Sequence, residues 1–304
     1  MLDTMKLSLC CISQDLSDLG VSFQTMTLTR FFSLERKEAE KILSQRILNN
    51  FIVTRETIRH CHRKGIAGYR LSSSLTPVIN HPEVNLRLDQ LADWAQMKAV
   101  LDETAAEIKQ FGIRVSAHPS EYISLTSENP EAIQNSVTDL ISHAELFDLL
   151  GLERSHWNPM NIHCRQDGDP QIISERFLKT FFSLPESVTK RLTLEVNDNK
   201  NGTWNLSNLF KYFFSTTGIP IVYDSLHRVF CNAGTTDEED FFLACSTWNK
   251  APLFHYSEGI NGTRKHAEMP EGIPNNYGRD VYFDVELKAK DRAIYAIQNK
   301  LADS

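Results

Sequence analysis

Eight short apolar runs punctuate this chain, at residues 5–11, 66–71, 113–118, 160–163, 191–195, 219–224, 252–256 and 281–286. Longer stretches with helical spacing of apolar positions lie between them, at 88–111, 131–150, 174–184, 206–217, 236–248 and 289–301. Strands alternating with helices imply βαβ units and a parallel sheet. Glycine stands just before three of the runs, in Lys64-Gly65-Ile66, Phe111-Gly112-Ile113 and Thr217-Gly218-Ile219, as a helix-to-strand turn requires. Eight runs match the strand count of a (β/α)₈ barrel, the TIM-barrel fold. A doubly wound open sheet is the main rival, but it usually carries a Gly-rich phosphate loop after an early strand, and this chain has none. The expectation is an α/β protein with one TIM-barrel domain over residues 1–304.

The residues that end the runs are more informative than the runs themselves. The third ends in Ser116-Ala117-His118, the fourth in Asn161-Ile162-His163 and the fifth in Thr193-Leu194-Glu195. The sixth ends in Val222-Tyr223-Asp224, with His227 one turn on; the seventh carries His255, and the eighth ends in Asp284-Val285-Glu286. In a barrel these carboxyl ends converge on one rim, where active sites sit. Any one of them has an ordinary structural reading, as a hydrogen-bonded core histidine or, for Asp224, a helix cap. Three histidines and three carboxylates on one rim are another matter, because desolvating them together is costly without compensating cations. Imidazole with carboxylate suits zinc, manganese or iron. His266, near the seventh run, could join His227 on a further ion. His81 follows the second run and could line the site or only a turn. His60, His62, His143 and His156 read as surface or packing residues.

The remaining composition bounds the setting. None of the six cysteines has zinc-finger or CxxC spacing, so free thiols in a reducing cytoplasm are expected. No apolar run reaches the ~18 residues of a membrane span, and residues 1–11 lack the regions of a secretion signal. Lys+Arg 32 against Asp+Glu 39 gives a net charge of −7, which on its face argues against a nucleic-acid partner.

At the rim residues the sequence resembles the UV damage endonuclease family, over about residues 25–290. The resemblance rests on Tyr69-Arg70-Leu71-Ser72-Ser73 with Asn80-His81-Pro82, Ser116-Ala117-His118-Pro119 with Tyr122, and Leu194-Glu195 with Asn197-Asp198. It extends through Trp204-Asn205, Val222-Tyr223-Asp224-Ser225-Leu226-His227 and Val285-Glu286-Leu287-Lys288-Ala289-Lys290. It implies a TIM barrel related to endonuclease IV, cutting UV-damaged double-stranded DNA by metal-dependent phosphodiester hydrolysis on the 5′ side of cyclobutane dimers and 6-4 photoproducts, with abasic sites as further candidates. It implies two or three divalent ions, manganese first, with zinc or cobalt as alternatives. Glu195 would bridge two ions, His118 and His163 would complete one site, and Asp224, His255 and Glu286 the second. His227 and His266 would serve a third. Glu121 and Tyr122 would probe the DNA, Lys288 and Lys290 could contact its phosphates, and His81 is a further DNA-binding candidate. A cytoplasmic monomer is expected.

The chain departs from the family at four places. Glu121 replaces a common Gln, Ser74 an acidic residue or His, and Leu253 a Lys found in some members; Leu9-Cys10-Cys11-Ile12 lacks an aromatic. Two other readings remain open at this stage. One is a sugar isomerase on the same barrel, although such centres lean on carboxylates. The other is a DNA-binding member with a degenerate site. The charge objection weakens once ions are counted, since two or three divalent cations add about +4 to +6 at the rim.

Overall fold

The computed structural model describes residues 4–303. Its eight strands are β1 (Met5–Cys10), β2 (Gly68–Leu71), β3 (Arg114–Ala117), β4 (Met160–His163), β5 (Leu192–Glu195), β6 (Ile221–Val222), β7 (Leu253–Tyr256) and β8 (Val281–Val285). All pair in parallel, in the order β6-β5-β4-β3-β2-β1-β8-β7. The two ends of that order meet where the His255 N–H donates to Tyr223 O at 2.9 Å and the Ser225 N–H donates to His255 O at 3.2 Å. The expected barrel is therefore present, closed by the lone bridge of Asp224 with His255.

Helices run outside the strands. The expected ones appear with ends shifted by up to six residues, as Trp94–Phe111, Pro130–Leu149, Pro170–Phe181, Asp237–Ser246 and Asp291–Ala302. The stretch 206–217 is not one regular helix, because a π turn over Phe210–Phe214 interrupts it. The longest helix, Arg36–Arg63, was not anticipated. It buries Leu43, Ile47, Phe51 and Ile58 at helical spacing, with Ser44, Asn50, Thr54 and Thr57 on the same face. Gly112 ends the helix Trp94–Phe111 at φ 67, a left-handed position that favours glycine.

Inward-pointing side chains repeat every second residue along a strand. They fill the barrel in layers. At the amino-terminal end Arg114 is enclosed between Trp157 and Tyr282, 4.4 and 4.7 Å from the ring centroids. It donates to the carbonyls of Trp157, Ala251, Pro252 and His156 at 2.8–3.2 Å. Higher up, Gly68 leaves the space that buried Ser8 occupies; a Cβ there would collide with Ser8 Oγ and meet Arg114 O at 3.1 Å. Above lie Ser116, Asn161, Thr193 and Asp284, all buried. The next inward position is the carboxyl rim, so the floor is closed and the rim alone is open to substrate.

Candidate metal centre

The rim residues come from six strand ends and gather around one side chain. Glu195, at the end of β5, is 1% exposed. Its Oε2 lies 3.3 Å from His118 Nε2, 3.4 Å from His163 Nε2 and 3.1 Å from His255 Nδ1. Its Oε1 lies 2.9 Å from His227 Nδ1. Asn161 Nδ2 donates to Oε2 and is itself held where Thr193 Oγ1 donates to Asn161 Oδ1 at 3.1 Å. On the far side His255 Nδ1 is 3.2 Å from Glu286 Oε1. Donor atoms of His118, His163 and Glu195 all lie within 4.8 Å of one another, and so do those of Glu195, Asp224 and His255. Glu195 is the shared member of both groups.

The expected site residues differ in how closely they gather. His118, His163, Glu195, Asp224, His227, His255 and Glu286 form the ring. His266 stands at its edge: its Nδ1 donates to Glu286 O at 2.8 Å, and its ring centroid is 6.4 Å from that of His227. Glu121 and Tyr122 lie on the loop after β3, with Tyr122 85% exposed. His81 lies in the loop after β2, where its Nδ1 accepts from the Glu83 N–H at 3.3 Å. Lys288 is exposed and Lys290 half-buried, in the turn between β8 and the helix Asp291–Ala302. These last five share the rim but stand outside the ring.

Three observations fit this ring to divalent cations. First, buried polar atoms in and just beneath it make no well-aligned hydrogen bond, even where another polar atom is near: His163 Nδ1, Glu195 Oε1, Asp224 Oδ2, both ring nitrogens of His255, and Asp284 Oδ1. Buried polar groups are ordinarily paired. Second, the histidines present a ring nitrogen to the carboxylate while a carbonyl holds the other. His118 Nδ1 lies 3.2 Å from Pro119 O, and a carbonyl only accepts, so Nδ1 carries a proton. Nε2 is then the ring nitrogen turned to Glu195 Oε2, at 3.3 Å, and is the atom that would ligate a cation. A backbone carbonyl fixing the other ring nitrogen is the usual support of a metal-binding histidine. Third, the charges do not balance. Glu195, Asp224, Asp284 and Glu286 are four carboxylates against the single guanidinium of Arg70, a formal −3.

The ionisations express the same imbalance. Burial pushes His163 down to about 3. Burial also opposes the charge of His255 and His227, but Glu195 with Glu286 lifts the first to about 9, and Asp224 with Glu195 lifts the second to about 11. Burial raises Asp224 and Asp284 above the usual carboxylate range. Burial would raise Glu195 and Glu286 too, but the surrounding histidines hold Glu195 well below that range, and Arg70 with His255 holds Glu286 below it. The ring draws positive charge from whatever source supplies it.

The profile of one protein family, described as UV-endonuclease UvdE, matches residues 5–304. The chain belongs to this family. Within it, the UV DNA damage endonuclease of Nostoc sp. is 32% identical over 306 residues, covering 95% of this chain and 88% of the relative. The solved structure of SacUVDE superposes with a TM-score of 0.83 at 24% identity, covering 98% of each chain. The 3-keto-D-glucoside 4-epimerase YcjR of E. coli superposes more loosely, with a TM-score of 0.55 at 12% identity over 82% of this chain and 92% of that one. That second likeness is one of fold alone.

For this UvdE family member, sequence reasoning missed four supporting residues: Arg70, Ser116, Asn161 and Asp284. Ser116, Asn161 and Asp284 each sit two positions before a ring residue on the same strand, so the two-residue period places them on the same inward face. Ser116 Oγ donates to Asp284 Oδ2 at 3.1 Å across the barrel. Leu253 occupies the matching position below His255 and is buried. A third close group, Asp15, His60 and Asp291, is an ordinary hydrogen-bond network. Asp291 accepts from Ser13 Oγ and the Gln14 N–H, and Tyr295 OH lies 2.9 Å from His60 Nε2. Among the described residues no helix is long and apolar enough to cross a membrane.

Proposed function

We propose that this endonuclease cuts the DNA backbone 5′ to UV photoproducts, with cyclobutane dimers and 6-4 photoproducts as substrates and abasic sites as further ones. The observation that carries the reading is the Glu195 carboxylate shared by two donor groups, His118 with His163 and Asp224 with His255. Glu286 serves the second group, and His227 with His266 forms the edge of a third position. Two or three divalent ions, manganese first and zinc or cobalt as alternatives, would there activate water and neutralise the charge that builds on the phosphate oxygens.

The chain's own residues prepare this chemistry. Asn161 fixes the Glu195 carboxylate and Arg70 fixes that of Glu286, so neither has to reorganise when substrate arrives. Exposed Tyr122 stands where a ring can fill a gap in the base stack, a contact worth ~1–3 kcal/mol. A lesion-weakened pair is the cheapest place to open such a gap. Glu121 sits beside it, Lys288 and Lys290 would contact phosphate, and His81 would be a further DNA contact. Residues 1–304 work as one domain, as a monomer in the cytoplasm.

The test is nicking of supercoiled plasmid, UV-irradiated and unirradiated, with Mn²⁺ and with EDTA, beside Glu195→Gln. The reading requires cleavage of irradiated plasmid that EDTA and Glu195→Gln both abolish. Cleavage that survives both, or no cleavage at all, overturns it.

A further inference from the structure

A cleft of about 510 Å³ opens on the rim, lined by Arg165, Asp198, Asn199, Thr263, Arg264 and Lys265. Its walls leave directly from the ring. Arg165 lies two residues beyond His163, Asp198 three beyond Glu195, and Arg264 and Lys265 immediately before His266. The chain as a whole carries −7, yet this cleft sets three cations against one carboxylate. We propose that it is a phosphodiester-backbone site that seats the DNA strand beside the bond to be cut. The proposal rests on the chain acting on DNA.

The placement sets the register. Two residues of extended chain reach about 7 Å, against ~3.4 Å of rise per nucleotide. The cleft therefore holds phosphates one or two steps from the scissile one. The cations are available for this. Arg264 Nη1 lies 3.3 Å from Asp198 Oδ2 with both side chains substantially exposed, and Arg165 Nη2 lies 3.9 Å from Glu121 Oε2, also exposed. Exposed pairs of this kind are worth ~0–1 kcal/mol. A phosphate group that meets the guanidinium fork through two oxygens binds better, so the strand displaces Glu121 and Asp198 from the two arginines. Among the described residues the Lys265 ammonium has no acceptor partner. Glu121 thereby gains a role in this chain: it shares Arg165 with the incoming strand and weakens DNA binding.

The experiment is nicking kinetics on a short duplex with and without one photoproduct, at several salt concentrations. It compares wild type with Arg264→Ala/Lys265→Ala, Arg165→Ala, Arg264→Lys and Glu121→Gln, with bound metal measured in each. The loss should fall on KM and not on kcat, equally for both duplexes, because phosphate contacts position the strand without reading its sequence. The slope of log affinity against log salt should drop by about 0.9 for each contact removed. Arg264→Lys should recover much of that slope, and Glu121→Gln should lower KM two- to fivefold. An unchanged KM and slope while wild type still nicks overturns the cleft and leaves the endonuclease reading standing. A loss confined to the damaged duplex, or one that tracks lost metal, also overturns the cleft. A wild type that neither binds nor nicks duplex DNA overturns both.

Discussion

Arg70 on β2 reaches past β1 to pair with Glu286 at the end of β8, and its Nη1 also lies 3.9 Å from Asp284 Oδ2. Among the described residues it is the only permanent cation paired with the ring carboxylates Glu195, Asp224 and Glu286 or with Asp284 beneath them. Removing one partner of a buried ion pair strands the other, at a cost of roughly 3–5 kcal/mol. Arg70→Met should lower unfolding free energy by about that much in EDTA and by clearly less with Mn²⁺, since divalent ions compensate the stranded carboxylates. Urea unfolding in both buffers measures it. Equal losses in the two would show that Arg70 does not share the ring's charge balance.

Metal loading should itself stabilise the protein. A ligand present at a hundred times its dissociation constant adds ~2.7 kcal/mol. For a chain of 304 residues that corresponds to a rise in Tm of about 4 °C. Mn²⁺ should produce this rise, EDTA should remove it, and Glu195→Gln should abolish most of it. A wild-type Tm indifferent to Mn²⁺ would sink the assignment of ions to the ring.

Asp291 supplies an acid-side prediction away from the rim. Burial raises its pKa, but hydrogen bonds from His60, Ser13 and the Gln14 and Asp15 N–H groups outweigh burial and hold it at about 2, against an ordinary 3.8. A depressed carboxyl stabilises the fold above its unfolded pKa and loses that contribution as pH falls through the folded value. The wild type should therefore lose about 2 kcal/mol between roughly pH 4 and pH 2 from this group. Asp291→Asn should be destabilised by a similar amount at pH 7 and show a flatter acid limb. Parallel acid limbs in the two proteins would contradict this.

Arg114 closes the opposite end of the barrel. In Arg114→Met the carbonyls of Trp157, Ala251 and His156 lose their guanidinium donor, while Pro252 O keeps the Tyr282 N–H at 2.9 Å; the change should cost roughly 2–4 kcal/mol. Because Arg114 lies on the floor, two layers below the ring, Mn²⁺ affinity should be unchanged once folding is complete. Calorimetry with metal titration separates the two effects, and a loss under 1 kcal/mol would mean that water replaces the guanidinium.

The barrel was legible because its strands are buried on both faces and read as apolar runs, and the ring because each run ends in a residue that chemistry singles out. The supporting layer was less visible. Asp284, Asn161 and Ser116 follow from the two-residue period, but Arg70 declares itself only through Glu286, 216 positions away. The helix Arg36–Arg63 was missed because its buried face is broken by polar residues. Asn50, for example, donates to Gln24 O at 2.8 Å and Leu75 O at 3.0 Å, bonds that apolar periodicity does not register. The cleft cations were hidden for the opposite reason. Arg165, Arg264 and Lys265 are ordinary surface residues in sequence and acquire meaning only when three loops meet.

The wall of the cylinder is joined by a single residue pair at two seams, Ala117 with Met160 between β3 and β4 and Asp224 with His255 between β6 and β7. Asp224 and His255 also belong to the ring around Glu195. Backbone amides along the β6–β7 seam should exchange with solvent sooner than those of the walls with longer ladders, and filling the ring should slow them. Loss of activity on replacing Asp224 or His255 thus reports two events, an emptied site and an unlatched wall. The same loss at His163, paired along β4 and β5, reports only the first.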